Sequence, residues 1–98
     1  MYAVIFKAKI NKLDKAYSVA AARMRELAIG KYGCSEFIST TEGGQEIAIS
    51  YWNNLNDIIE WKQNAEHLTA QALGKSEWYK SYRVQIVEII REYEKVSK

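Results

Sequence analysis

His67 is the one histidine of the chain, and its type is the only one whose unperturbed pKa lies near neutrality. It is therefore the first candidate for a proton-transfer group or for a haem ligand. Trp61 stands six residues before it, with Asn64 between them. On one uninterrupted helix these two positions lie about 240° apart around the axis, so their side chains diverge. A break near Gln63, with Asn64 capping a restarted helix, would turn His67 toward a cavity shared with Trp61. The competing readings are a solvated helix histidine and an indole that fills the core.

Aromatic residues form a second group, with Trp52, Trp61, Trp78, Tyr51, Tyr79 and Tyr82 gathered in the second half of the chain. Trp52, Trp61, Trp78 and Tyr82 could wall a flat pocket for a planar aromatic ligand, with Arg83 supplying a cation for a carboxylate, phenolate or propionate. Alternatively, several of them fill the core or a dimer seam. Other chemistries lack their residues. Gly74-Lys75-Ser76 imitates the end of a phosphate-binding loop, yet Thr69 stands where that loop needs its earlier glycine. No set of His, Cys, Asp and Glu has metal-ligand spacing, and Cys34 has no evident activating neighbour, so neither a metal site nor a thiol enzyme is expected. Signatures of a serine nucleophile and of a dinucleotide site are also missing.

The elements that must position these residues follow from periodicity. Residues 2–10 alternate as a strand, apolar on both faces in its first half. Asp14 is a plausible helix N-cap, and Leu13, Tyr17, Ala20, Met24 and Leu27 then make an amphipathic stripe that should end near Gly30 or Gly33. Residues 34–41 and 45–52 read as strands around Glu42-Gly43-Gly44, a strong hairpin signal. A helix over 54–73 follows, with Leu55, Ile58, Trp61, Ala65, Leu68 and Ala72 as its apolar set. A short helical or irregular piece is expected over 76–80, and a long strand, apolar on both faces, over 82–93. The order strand, helix, strand, strand, helix, strand is the ferredoxin-like α+β pattern, βαββαβ with an antiparallel sheet. Helices cover one face of such a sheet, so the apolar residues of the other face predict a homodimer built sheet against sheet.

Size and charge bound the rest. The 98 residues suffice for one domain spanning 1–98, and 48% hydrophobic with 27% charged residues describes a folded globular chain. A net charge of +2 without a basic stripe, and without an RNA-recognition signature, argues against nucleic acid as a partner. No apolar run approaches the roughly 20 residues that cross a bilayer, and the opening Met1-Tyr2-Ala3-Val4-Ile5-Phe6-Lys7 lacks a signal-peptide pattern, so no membrane role is expected. One lone cysteine makes a reducing, cytoplasmic setting the expectation.

Ile49-Ser50-Tyr51-Trp52-Asn53-Asn54-Leu55, then Trp61 through His67, then Trp78-Tyr79 and Tyr82-Arg83-Val84, resemble the antibiotic biosynthesis monooxygenase domain over nearly the whole chain. The spacing from Trp61 to His67 is the most specific part of the resemblance. It implies a dimeric α+β barrel with a cavity between each sheet and its helices. For some members of that family it also implies oxidation of quinols or polycyclic phenols by molecular oxygen, without metal or flavin. By that analogy His67 would assist deprotonation, Trp61 and Trp52 would wall the cavity, and Arg83 would steady negative charge. Other members bind and degrade haem through a histidine of the second helix, an asparagine of the first strand and a tryptophan. Here Phe6 and Lys7 stand where the asparagine is expected, and Gln71 stands where the histidine usually lies. Two classes of function are therefore expected: a small oxygenase on an electron-rich aromatic, or a non-catalytic ligand-binding or stress-associated dimer.

Overall fold

The strand β1 (Tyr2–Ile10) has apolar residues on both faces, which suits a strand with neighbours on both edges. It holds that position. β3 (Gln45–Trp52) pairs with one edge and β4 (Tyr79–Glu88) with the other, both antiparallel. β2 (Glu36–Glu42) pairs with the far side of β3, giving the order β2-β3-β1-β4. With α1 (Lys15–Gly30) and α2 (Leu55–Leu73) in their places, the chain is the βαββαβ, ferredoxin-like α+β fold that its periodicity predicts. This computed structural model describes residues 1–73 and 78–97, with side chains described except at 68–73.

Local chemistry sets the boundaries. The Asp14 carboxylate accepts the Tyr17 amide at 2.9 Å and starts α1. At the other end the amides of Lys31 and Cys34 donate to Leu27 and Ala28, each at 2.9 Å, and Gly33 takes φ +80°. Closing α1 uses the Cys34 amide, and β2 accordingly begins at Glu36, two residues later than the sequence predicts. The β2–β3 ladder closes at Glu42↔Gln45, leaving Gly43 and Gly44 as a two-residue loop with φ +58° and +78°. Positive φ at both central positions is the type I′ geometry that matches strand twist. The Asn54 side chain accepts the Asn56 amide at 2.7 Å where α2 starts.

The last strand departs from its expected bounds. β4 spans 79–88 and not 82–93, because its ladder with β1 ends at Tyr2↔Glu88 and one further hydrogen bond, Ile89 amide to Met1 carbonyl at 3.0 Å. Beyond that bond β1 has nothing left to pair with it. Ile90, Tyr93 and Val96 lie outside the strand and are highly exposed. At the other end Tyr79 and Lys80 already belong to β4, while the remainder of the piece expected over 76–80, as far as residue 77, lies outside the described residues, as does the Gly74-Lys75-Ser76 imitation.

Both helices lie on one face of the sheet. Val4, Ala28, Cys34, Trp52 and Ile58 form the buried cluster between the layers, with Tyr2, Tyr32, Phe37, Trp61 and Val84 packed against it. Strand alternation puts Ile5, Ile38, Ile47, Ile49, Tyr51 and Val87 on the opposite face, and Ile38 there is 48% exposed. Among the described residues no helix is long and apolar enough to cross a membrane.

Candidate functional site

A cavity of about 730 Å³ lies between the sheet and the two helices. That size falls within the roughly 300–1,000 Å³ of ordinary small-molecule sites. Inward-facing strand residues make its floor: Val4 and Phe6 from β1, Phe37 and Ser39 from β2, Ala48 from β3, Val84 from β4. Ala21, Met24 and Arg25 of α1 and Ile58, Trp61, Lys62 and Glu66 of α2 make its roof. The wall is largely apolar and aromatic.

Hydrogen bonds fix the aromatic walls. The Trp61 indole N–H donates to the Met24 carbonyl at 2.9 Å, locking α2 to α1. Its ring lies 5.3 Å from Trp52 and meets Phe37 edge-on at 6.1 Å. Trp78, 2% exposed, donates its indole N–H to Asp14 at 3.2 Å, while its carbonyl accepts the Asn11 and Lys12 amides. The N-cap carboxylate of α1 therefore also anchors a cavity wall. A register shift at Lys9/Ile10 sets Tyr79 opposite Ile10 and Tyr82 opposite Ala8. Since Ala8 and Ile10 share a face, the bulge brings both tyrosines to the cavity side. Phe6 stacks on Tyr82 at 5.8 Å and meets Tyr79 edge-on at 5.3 Å.

The cavity carries charge at one edge. The Arg25 Nη2 donates to the Phe37 carbonyl at 3.0 Å and its guanidinium sits 5.7 Å above the Phe37 ring. Among the described residues Arg25 makes no ion pair, whereas Lys62 is bonded to Glu66 at 3.1 Å. Outside the cavity lining, a buried carboxylate, Glu46 of β3, accepts the Tyr17 hydroxyl. Tyr79 also interacts with both groups. Burial, then the contact with Glu46, pushes the Tyr17 phenol far above its ordinary range. Burial also pushes Tyr79 up to about 12, with Tyr17 pulling the other way and Glu46 adding to the rise.

Of the residues singled out in the sequence, Trp61, Trp78 and Tyr82 meet in this cavity. Trp52 stands behind it, fully buried, its indole N–H bonded to the Ser50 hydroxyl at 2.8 Å. Arg83 lies opposite Lys7 on the other face of the sheet, since neighbouring strand residues point to opposite sides. His67 is exposed, and α2 runs through Gln63 and Asn64 without the break that would have turned it inward. Phe6 lines the cavity with an apolar ring, so neither Phe6 nor the exposed His67 offers a haem iron an axial ligand there. Among the described residues no cluster of His, Cys, Asp and Glu could hold a metal ion.

Arg25 and the Tyr17–Glu46 pair do not stand out in the sequence. Glu46 does leave a signal there: it shares the inward face of β3 with Ala48, Ser50 and Trp52, where a charge needs a buried partner.

No family model matches the chain. The uncharacterised Bacillus subtilis protein YqjZ is 36% identical over 92 residues, covering 93% of this chain and 81% of that protein. Among solved structures, a "putative antibiotic biosynthesis monooxygenase" from Nitrosomonas europaea matches with TM-score 0.70 and 16% identity over 93% of this chain and all of the other. A protein from Agrobacterium tumefaciens matches with TM-score 0.61 and 15% identity, covering 93% and 95% of the two chains. The chain belongs to the family of Bacillus subtilis YqjZ, and its domain has the fold of the antibiotic biosynthesis monooxygenase-like proteins.

Proposed function

We propose that the protein is a small monooxygenase that oxidises an electron-rich aromatic, a quinol or polycyclic phenol, with molecular oxygen and without metal or flavin. The observation that carries this reading is the cavity itself, walled by Phe6, Phe37, Trp61, Trp78 and Tyr82 with the Arg25 guanidinium at its rim. Flat apolar walls favour a planar ring, and a cation beside it favours the ionised form of a phenol, lowering its pKa and raising its electron density. The substrate anion is then the reductant, and the protein holds it dry, flat and charged. In this reading Trp61 and Tyr82 bracket the substrate, Arg25 takes the electrostatic role expected of Arg83, and Trp52 supports Trp61 from behind. His67 would act only if α2 rearranged. The monooxygenase name carried by the Nitrosomonas europaea protein agrees with this reading.

A homodimer completes the proposal, with the isoleucines of the outer sheet face covered by a second copy. Sedimentation at micromolar concentration is expected to give about twice the 11.3 kDa chain mass. Ile49→Asp, on that outer face, should give a folded or partly folded monomer. The test of activity is oxygen uptake with 1,4-dihydroxynaphthalene or anthrone above the uncatalysed rate, reduced at least tenfold in Trp61→Ala and in Arg25→Gln. Uptake equal to that of buffer would leave the second reading, a non-catalytic ligand-binding dimer. The exposure of His67 favours that alternative, because it leaves the described cavity wall without a base that titrates near neutrality.

A further inference from the structure

Beside Ser39 and the Lys62–Glu66 pair, two polar side chains of the cavity lining, Arg25 and Tyr79, sit over opposite edges of the sheet. Arg25 lies over Phe37 of β2, and Tyr79 belongs to β4. In the order β2-β3-β1-β4 those strands are three steps apart, roughly 14 Å at the usual strand spacing. The features also differ in kind. Arg25 offers only donors, and one of them is taken by the Phe37 carbonyl. At the Tyr79 edge the balance is reversed. An ionised carboxylate accepts at about four sites and each phenol at up to two, whereas the two phenols together supply only two protons.

Glu46 is 7% exposed, so its surplus acceptor capacity is not met by bulk water. Asp14 does not relieve it, since its own carboxylate oxygen is occupied by the Tyr17 amide and the Trp78 indole. Tyr79 is the member of this cluster that also lines the cavity. Tyr17 is held between Trp78 and Tyr79, edge-on to both at 5.2 and 6.0 Å, so the cluster is rigid. A rigid site with spare acceptors recognises a hydrogen-bond donor and repels an anion.

We propose that the cavity reads its aromatic ligand from both ends, a neutral hydroxyl donating into the Tyr79–Tyr17–Glu46 cluster and an anionic oxygen held by Arg25 at the far edge. The ligand class is thus a fused-ring aromatic with a hydroxyl at one end and a carboxylate or phenolate at the other. Tyr79 and Arg25 are its binding residues, and Tyr17 and Glu46 are positioning residues that keep Tyr79 turned as an acceptor. This rests on the aromatic-ligand part of the function proposed above, but it requires no oxidation.

The probe is 6-hydroxy-2-naphthoate, compared with 6-methoxy-2-naphthoate, which keeps the shape and charge but cannot donate. Affinities are read by calorimetry on the intact protein. The wild type is expected to prefer the hydroxyl probe about tenfold, the equivalent of one hydrogen bond to a charge-supported acceptor. In Tyr79→Phe, whose ring still packs on Phe6, the two probes should bind equally. Arg25→Gln should weaken both about tenfold, with the hydroxyl preference kept. Glu46→Gln, which adds donors to the cluster, should also abolish the preference, and it serves if Tyr79→Phe fails to fold by circular dichroism. Equal affinity of the two probes in the wild type overturns the proposal, and so does a preference that survives in Tyr79→Phe. A Tyr79-dependent preference without oxygen uptake would refute the oxidation alone. Oxygen uptake on a quinol with no such preference would refute the two-ended recognition alone.

Discussion

Replacing Tyr17 by Phe removes one oxygen atom from a junction that ties α1 to β3. The ring stays, so its edge-on contacts with Trp78 and Tyr79 are kept, and the change isolates the hydroxyl that donates to Glu46. A hydrogen bond to a charged group contributes about 1.5–3 kcal/mol net. The upper half of that range is the relevant one, because the carboxylate left behind is 7% exposed and cannot recover the bond from bulk solvent. A loss of about 2.5 kcal/mol is expected, which for a domain of this size lowers Tm by roughly 10–20 °C. The assay is thermal and urea unfolding at fixed protein concentration, since association would make stability concentration-dependent. Glu46→Gln and the double variant complete a cycle in which the coupling between the two side chains should exceed about 1 kcal/mol. A Tyr17→Phe loss below about 0.5 kcal/mol, or additive single effects, would show that Glu46 does not depend on Tyr17, and the rigid acceptor cluster would lose its basis.

Three further outcomes follow from packing and titration. Trp52 is fully buried between the layers against Trp61, so Trp52→Ala should cost about 3–5 kcal/mol in urea unfolding, and Trp52→Phe distinctly less. Tyr17 and Tyr79 hold their protons above the ordinary phenol range, Tyr79 to about 12, while the unfolded chain releases them near pH 10. Stability should therefore be unaffected by these groups below pH 10 and fall as pH rises toward 12. Double replacement by Phe should flatten that fall, as measured by urea unfolding across the alkaline range. Cys34 is 5% exposed and burial raises its thiol pKa, so a disulfide reagent should label it slowly in the native protein and rapidly in denaturant.

How much of this was legible in the sequence differs from element to element. Alternation and the Gly43-Gly44 pair predict β1, β3 and the β2–β3 hairpin because these are local signals, and the α1 cap at Asp14 is local as well. The ends of β2 and β4 were not legible. Cys34 is taken by the C-terminal turn of α1, and β4 stops where β1 stops, and both facts belong to the partners. For the site, Trp61, Trp78 and Tyr82 were readable as pocket aromatics. Tyr82 and Arg83 could not both face one cavity, since consecutive strand residues point to opposite sides, and alternation alone decides for Tyr82. The inward turn of His67 required a helix break that no proline or glycine in that stretch supplies. Arg25 is not legible in the sequence because its place depends on Phe37, twelve residues away on another element.

The three tryptophans provide the most direct test of the central claim that this cavity is a binding site for a planar aromatic. Trp61 and Trp78 line it, whereas Trp52 is sealed behind it. In a titration of ¹⁵N-tryptophan-labelled protein with 6-hydroxy-2-naphthoate, the indole N–H signals of Trp61 and Trp78 are expected to shift or broaden in step with binding. The Trp52 signal should move distinctly less. No shift at millimolar probe, or shifts that leave Trp61 and Trp78 in place, would contradict the account.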